Sequence, residues 1–130
     1  MDKPKVFIVD DDPSFVKLLE HQLEAAKITP IETYASGEEC LENMHHGPKL
    51  VLLDFSMLGL NGLDVLTKIK KNFPRTAVVM LTAVEDAEVE QRCLEAGASS
   101  YIRKDPDGLE RLKNEVLPKY NRSGFFSFFN

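Results

Sequence analysis

Polar side chains follow four short apolar runs of the chain, at the point where each run ends. Asp10 and Asp11 come after the first run, Asp54 after a second, Thr82 after a third and Lys104 after a fourth. In an open sheet of parallel strands, ligands bind outside the carboxyl ends of the strands. If the apolar runs are such strands, these five side chains share one site.

A divalent cation is a suitable partner for the three aspartates. Carboxylates that share a site repel one another and raise one another's pKa. A bound cation removes this repulsion, and a ligand set made only of oxygen atoms suits Mg²⁺. We therefore predict a magnesium site at Asp10, Asp11 and Asp54.

The same set of groups suits phosphoryl transfer. A carboxylate can attack phosphorus and form an aspartyl phosphate. This reaction needs an in-line nucleophile and positive charge around the equatorial oxygens rather than covalent help from the protein. The ammonium group of Lys104 adds to the charge of the cation, and the hydroxyl of Thr82 can donate a hydrogen bond.

Two other phosphate chemistries fit the sequence less well. A flavodoxin-like nucleotide site needs a loop of Gly, Ser or Thr after the first strand, whereas Asp10, Asp11 and Asp12 stand there and repel phosphate unless a metal intervenes. The chain has no glycine-rich phosphate loop of the known kinds. A phosphatase of the haloacid dehalogenase type needs a second acid two residues after its nucleophile, and that position holds Ser56.

Apolar runs alternate with helical patterns along the whole chain. The spacing predicts strands at 6–9, 28–34, 50–53, 77–81 and 100–102, and helices at about 14–26, 36–46, 63–72, 85–96 and 107–117. Pro30 places the second strand toward an edge, and Ser14 and Ser36 are the expected caps of the first two helices. This alternation predicts an α/β fold: a doubly wound, five-stranded parallel sheet with helices on both faces.

Composition limits the classes of function. The chain has 130 residues, 43% apolar and 28% charged, as expected of one globular domain. A formal net charge of -5 opposes non-specific binding of nucleic acid. No apolar run approaches the roughly 20 residues that span a bilayer, and no signal region opens the chain, so we expect a cytoplasmic protein without membrane contact. The two cysteines, Cys40 and Cys93, form no metal-binding pattern.

The sequence resembles the receiver domain of bacterial two-component response regulators, including the chemotaxis regulators, over about residues 5–117. The resemblance rests on four segments in this order: Val9-Asp10-Asp11-Asp12-Pro13, Leu53-Asp54 with Met57 and Gly62, Leu81-Thr82-Ala83, and residues 97–104. It implies a flavodoxin-like fold of the receiver type. We accordingly divide the chain into a receiver domain at 1–117 and a tail at 118–130, which holds four of the eight phenylalanines.

The resemblance also implies a role for each site residue. Asp54 is the phosphoacceptor and a metal ligand, and the backbone carbonyl of Ser56 is another ligand. Asp11 binds Mg²⁺ directly, and Asp10 does so chiefly through water. The phosphoryl group itself is bound by the remaining two polar side chains, Thr82 and Lys104.

The implied function is a phosphorylation switch rather than a turnover enzyme. The phosphoryl group comes from a histidine kinase or a phosphotransfer protein, and the ring of Tyr101 turns inward as the aromatic switch. Residues 85–117 form the face that binds an output protein or a second copy, and direct binding of nucleic acid is not expected. The alternative is a pseudo-receiver, which binds partners without phosphorylation.

Two positions depart from the pattern of the family. Leu58 stands where the family usually has Pro after the methionine, which is expected to loosen that loop without removing a ligand. Asp105 stands where Pro usually follows the lysine, often in a cis bond. Because a cis bond before a non-proline residue costs about 2.5–4 kcal/mol, we expect a trans bond or a rearranged loop, and Asp105 is a candidate partner of Lys104.

Overall fold

Five short strands form one parallel sheet in the order β2-β1-β3-β4-β5. The computed structural model describes residues 5–120. The strands are β1 (Lys5–Val9), β2 (Ile31–Tyr34), β3 (Pro48–Asp54), β4 (Ala77–Thr82) and β5 (Ser100–Arg103). The α-helices are α1 (Pro13–Ala25), α2 (Gly37–Glu42), α3 (Gly62–Asn72), α4 (Ala87–Glu95) and α5 (Pro106–Arg111). Short 3-10 turns at Met44–His46 and Leu117–Lys119 and a π turn at Leu112–Val116 complete the fold.

The sheet is apolar on both faces because helices cover both of them. Along β1, Phe7 and Val9 belong to one core cluster, whereas Val6 and Ile8 belong to the other. Helices α2, α3 and α4 pack on the first face, and α1 and the segment after α5 pack on the second. The prediction of a doubly wound sheet is therefore confirmed. Among residues 5–120, no helix has the length and apolar character needed to cross a bilayer.

The two predicted helix caps had different outcomes. The Oγ of Ser36 accepts a hydrogen bond from the backbone N–H of Glu39 at 3.1 Å, so this cap is confirmed. The assignment of Ser14 as the first cap is wrong. Asp12 caps α1, and its carboxylate accepts from the N–H of Ser14 at 3.0 Å. Pro13 takes the first helical position, where no backbone donor is needed.

Strand β2 lies at the edge of the sheet, as Pro30 predicted, but it is shorter than expected. It begins at Ile31 rather than at residue 28. Ile28 is buried, and its backbone N–H bonds to the carbonyl of Leu23 at the end of α1 instead of to a strand. The last predicted helix is α-helical only to Arg111, and the π turn that follows keeps Leu112 and Val116 buried.

A group of polar side chains surrounds Glu32 at this edge. The hydroxyl of Tyr34 and the Nδ1 of His46 lie 2.5 and 2.6 Å from its Oε1, and the Nζ of Lys5 lies 3.1 Å from its Oε2. Burial by itself raises the pKa of Glu32, but these hydrogen bonds together outweigh it and lower the pKa to about 2. The ionised form of Glu32 therefore joins the ends of β1, β2 and the 3-10 turn Met44–His46.

Replacing Glu32 by Gln should make the free energy of unfolding less dependent on pH. Its pKa in the folded state, about 2, lies below the ordinary value of 4.5, so Glu32 stabilises the fold above pH 4.5 and less as the pH falls toward 2. We expect Glu32→Gln to lose about 1 kcal/mol at pH 7, because the contacts are partly solvated. Urea unfolding at pH 7 and pH 3 measures this, and an equal loss at both pH values would contradict it.

Candidate functional site

Four strands end at the same edge of the sheet and carry the predicted polar groups there. Asp10 directly follows β1, Asp54 ends β3, Thr82 ends β4 and Lys104 directly follows β5. Carboxylate oxygens of Asp10, Asp11 and Asp54 lie within 4.8 Å of one another. The structure therefore brings the predicted polar side chains together at one edge of the sheet.

The carboxyl group of Asp54 is buried and lies in an unusual electrostatic environment. Only 4% of the residue is exposed. Burial is the largest influence and the nearby charge of Asp10 is the next, and together they raise the pKa of Asp54 to about 6. The Lys104 ammonium and the backbone N–H of Ser56, which lies 3.3 Å from Oδ1, oppose this rise. Asp54 is therefore less solvated and more basic than a surface carboxylate.

Lys104 crosses the site and contacts both buried acids. Its Nζ lies 2.6 Å from the Oδ2 of Asp10 and 3.3 Å from the Oδ1 of Asp54. Its backbone N–H bonds to the carbonyl of Thr82 at 2.7 Å, which fixes the start of the side chain. The ring of Phe15 lies 4.5 Å from the same Nζ. The sequence did not point to Phe15, although a residue in the first turn of a helix leans toward the helix N-terminus and thus toward this edge.

Backbone N–H groups two residues further along the chain orient the carboxylates of both buried acids. The backbone N–H of Asp12 bonds to the Oδ1 of Asp10 at 3.0 Å, so the Asp12 that caps α1 also orients Asp10. The N–H of Ser56 does the same, at longer range, for Asp54. Asp11 remains exposed. Whether the carbonyl of Ser56 is a metal ligand stays a prediction.

The donor atoms at this edge fit a small, hard cation. The three carboxylates bring three negative charges when ionised, and Lys104 balances only one of them. Burial, and then the nearby charge of Asp10, raise the pKa of Asp54, which is consistent with this excess of negative charge. Since all of the candidate ligand atoms are oxygen, Mg²⁺ suits the set better than a soft metal. Residues Asp10, Asp11 and Asp54 are the ones that would hold it.

Thr82 and Tyr101 meet at the backbone of Val84. Thr82 is fully buried, and its Oγ1 accepts a hydrogen bond from the N–H of Val84 at 3.0 Å. Tyr101 is only 5% exposed, so its ring already lies inward in this structure, and its hydroxyl lies 3.5 Å from the carbonyl of Val84. Burial raises the pKa of the Tyr101 hydroxyl. Thr82 and Tyr101, to which the family resemblance assigns phosphoryl binding and the aromatic switch, therefore both contact the backbone of Val84.

Asp105 does not pair with Lys104, and this part of the sequence-based expectation is wrong. The Oδ1 of Asp105 accepts from the N–H of Gly108 at 2.7 Å and thereby caps α5. Its Oδ2 pairs with Arg103 at 3.2 Å, and Arg103 also reaches Glu85 at 3.1 Å. A cap must turn its carboxylate toward the helix, which takes it away from the ammonium of Lys104. The Lys104-Asp105 peptide is trans, as expected.

Loss of this cap should lower stability without disturbing the site. We expect Asp105→Ala to lower the free energy of unfolding by about 1 kcal/mol, since it leaves the N–H of Gly108 without its capping partner. Asp105→Asn keeps a capping oxygen and is the matched control. Thermal unfolding of the wild type, Asp105→Ala and Asp105→Asn tests this. An unchanged melting temperature in Asp105→Ala, or a clear loss of its phosphorylation rate, would contradict it.

The loop after β3 passes close to the site. At Gly62, a Cβ atom would lie 2.6 Å from the Cα of Phe55 and 2.8 Å from the carbonyl oxygen of Asp54. Only glycine therefore lets α3 begin against the end of β3. Leu58, in the same loop, is 87% exposed and contributes no group to the acidic edge.

A doubly wound parallel sheet with three acids and a lysine at the carboxyl ends of its strands defines a class of α/β domain that handles phosphoryl groups at an acidic edge. Residues 6–116 match the family described as the response regulator receiver domain. The chain belongs to this family, whose members are the phosphoacceptor modules of two-component response regulators.

Individual relatives agree with this assignment. The chain is 37% identical over 128 residues to the probable transcriptional regulator ycf27 of Guillardia theta, a match that covers 96% of this chain and 50% of that protein. It is 34% identical to the DNA-binding transcriptional regulator NtrC of Escherichia coli K12, with 92% and 26% covered. The solved structure of the BeF3-activated DrrB receiver domain superposes with a TM-score of 0.78 at 30% identity, covering 88% of this chain and 95% of that one. The chain thus spans half or less of the curated relatives named here.

Proposed function

We propose that Asp54 accepts a phosphoryl group from a phosphohistidine of a histidine kinase or a phosphotransfer protein. The observation that carries this proposal is the buried carboxyl group of Asp54, which lies 3.3 Å from the ammonium of Lys104 and beside two further acids. Such a group is positioned for nucleophilic attack, and its neighbours are positioned to stabilise the transferred charge.

The chemical step is a displacement at phosphorus. A carboxylate oxygen of Asp54 attacks, the bond from phosphorus to the donor nitrogen breaks, and an aspartyl phosphate forms. Lys104 and the hydroxyl of Thr82 bind the oxygens of the phosphoryl group. A magnesium ion held by Asp10, Asp11, Asp54 and the carbonyl of Ser56 would neutralise negative charge on the phosphoryl oxygens.

The phosphorylated domain then acts as a two-state switch. When the hydroxyl of Thr82 turns to the phosphoryl group, it gives up the N–H of Val84, and the Val84 segment rearranges together with the inward-lying ring of Tyr101 beside it. The face formed by about residues 85–117 changes with it and binds an output protein or a second copy. We propose that this domain lies in the cytoplasm and does not itself contact nucleic acid or membrane, as its acidic charge and its family suggest.

A single incubation tests the proposal. The protein is treated with acetyl phosphate in the presence of Mg²⁺ or of EDTA, and its intact mass is followed. We expect an acid-labile adduct with the mass of one phosphoryl group, formed only with Mg²⁺ and limited to one per chain. If no adduct forms, the pseudo-receiver alternative is the better description, although no observation on the described residues favours it now.

We also propose that the domain is not a turnover phosphatase. That reaction needs an acid two residues after the nucleophile, and here Ser56 holds the position with its backbone N–H against Asp54. Inorganic phosphate should therefore appear only slowly, as each aspartyl phosphate hydrolyses. Continuous release at enzyme-like rates would contradict this part of the proposal.

A further inference from the structure

Phe15 occupies the first turn of α1, at the edge of the sheet where the acids lie. The ring centroid is 4.5 Å from the Nζ of Lys104. Helix side chains tilt toward the N-terminus of their helix, and α1 begins at this edge, so the ring extends over the site. Phe15 is half-buried and also packs on the core cluster beneath α1.

The ring completes the surroundings of the Lys104 ammonium. Two sides of that group face the carboxylates of Asp10 and Asp54, and Phe15 takes a further side. Only 13% of the side chain of Lys104 is exposed. A lysine side chain has high rotamer entropy, and its ammonium is otherwise strongly hydrated. Contacts with three separate elements restrict it to one place.

An aromatic face holds a cation in a way that suits phosphoryl transfer. A carboxylate attracts the ammonium but also cancels its charge. The ring attracts it through a quadrupole and leaves its net charge unchanged. When a cation and a phosphoryl group occupy the oxygens of Asp10 and Asp54, the ring remains as a partner that competes with neither.

We propose that Phe15 is a positioning residue for phosphoryl transfer, which acts by holding the charged end of Lys104 over Asp54. This inference rests on the proposed function of Lys104. A purely structural role for Phe15 is the competing explanation, because an aliphatic residue would fill the same space against the core. The two explanations differ in whether the aromatic ring itself is needed.

Three variants separate these explanations. Phe15→Leu keeps an apolar side chain and removes the ring face, whereas Phe15→Tyr keeps the ring. Val16→Ala is the matched structural control, since Val16 lies in the same turn and packs on the same cluster. Each is phosphorylated with acetyl phosphate and saturating Mg²⁺, and its melting temperature is measured alongside the initial rate.

We expect Phe15→Leu to slow the initial rate by about fivefold, the order of effect that a partly buried cation–π contact supports. Phe15→Tyr should stay within about twofold of the wild type. Val16→Ala should lower the melting temperature and leave the rate unchanged. In NMR spectra, the ring shields the ε-CH₂ protons of Lys104, assigned by their absence in Lys104→Arg, and this upfield shift should vanish only in Phe15→Leu.

The outcomes decide the two claims separately. If the wild type accepts no phosphoryl group, the proposed function fails and the positioning role fails with it. If the wild type is phosphorylated and Phe15→Leu stays within about twofold of its rate, or slows no more than Val16→Ala does, only the role of Phe15 is overturned. An unchanged Lys104 signal in Phe15→Leu would also overturn it.

Discussion

Replacing Asp54 by Asn should abolish the phosphoryl adduct while leaving the fold intact. The amide has nearly the same shape as the carboxyl group but is not a nucleophile, so we expect the rate to fall by at least about a thousandfold. Incubation with acetyl phosphate and Mg²⁺, followed by intact-mass measurement, gives the result. Asp64→Asn makes the same chemical change on the exposed side of α3 and should keep the full adduct.

A second measurement on Asp54→Asn separates lost chemistry from lost structure. The pKa of Asp54 in the folded protein, about 6, lies above the ordinary value of 3.8. The unfolded chain therefore releases the proton more readily, and ionisation of Asp54 opposes folding as the pH rises through this interval. We expect Asp54→Asn to melt at a higher temperature than the wild type at pH 7 in EDTA. A lower melting temperature, or an undiminished adduct, would contradict the role given to Asp54.

Replacing Lys104 by Met should weaken both transfer and stability. Met keeps much of the length of the side chain but removes the charge from a site where it faces the phosphoryl oxygens. We expect phosphorylation by acetyl phosphate to slow by about a hundredfold, the usual cost of removing one group that stabilises transition-state charge. Lys68→Met, on the exposed side of α3, is the matched control and should be phosphorylated normally.

The stability effect of Lys104→Met has a characteristic dependence on Mg²⁺. Without the ammonium, the buried carboxylates of Asp10 and Asp54 lose their nearest positive charge, and removing one member of a buried pair costs about 3 kcal/mol or more. In EDTA at pH 7 the variant should therefore unfold at lower urea concentration than the wild type. Saturating Mg²⁺ should recover most of this difference. A destabilisation that Mg²⁺ leaves unchanged would show that the acids do not bind the cation as a group.

The main features of the fold and the site are predictable because they follow from local patterns. Each buried strand reads as an apolar run, and polar groups just past its end must share an edge when the strands are parallel. This rule predicts a shared site for Asp10, Asp54 and Lys104, which are far apart in the sequence. The position of β2 at the edge of the sheet follows in the same way from Pro30.

Two of the remaining details depend on a choice between partners that are near in sequence. Asp12 and Ser14 are both good caps, and Pro13 between them decides in favour of the residue that precedes it. Asp105 lies next to both Arg103 and Lys104, and its commitment to the first turn of α5 turns it away from the latter. The contact of Phe15 with Lys104 joins positions far apart in the chain, and it emerges only once α1 is packed on the sheet.

The hydrogen bond from the N–H of Lys104 to the carbonyl of Thr82 has a further consequence. It extends the pairing of β4 and β5, in which Thr82 lies opposite Arg103, up to the edge of the site. The spacing of the backbone at Thr82 and Lys104, whose hydroxyl and ammonium groups are proposed to bind phosphate, is thus set by the sheet. Only rotation of the two side chains can then change the distance between the hydroxyl of Thr82 and the ammonium of Lys104. Backbone movement in response to phosphate should then begin in residues 83–86, the stretch between β4 and α4 that no strand pairing restrains.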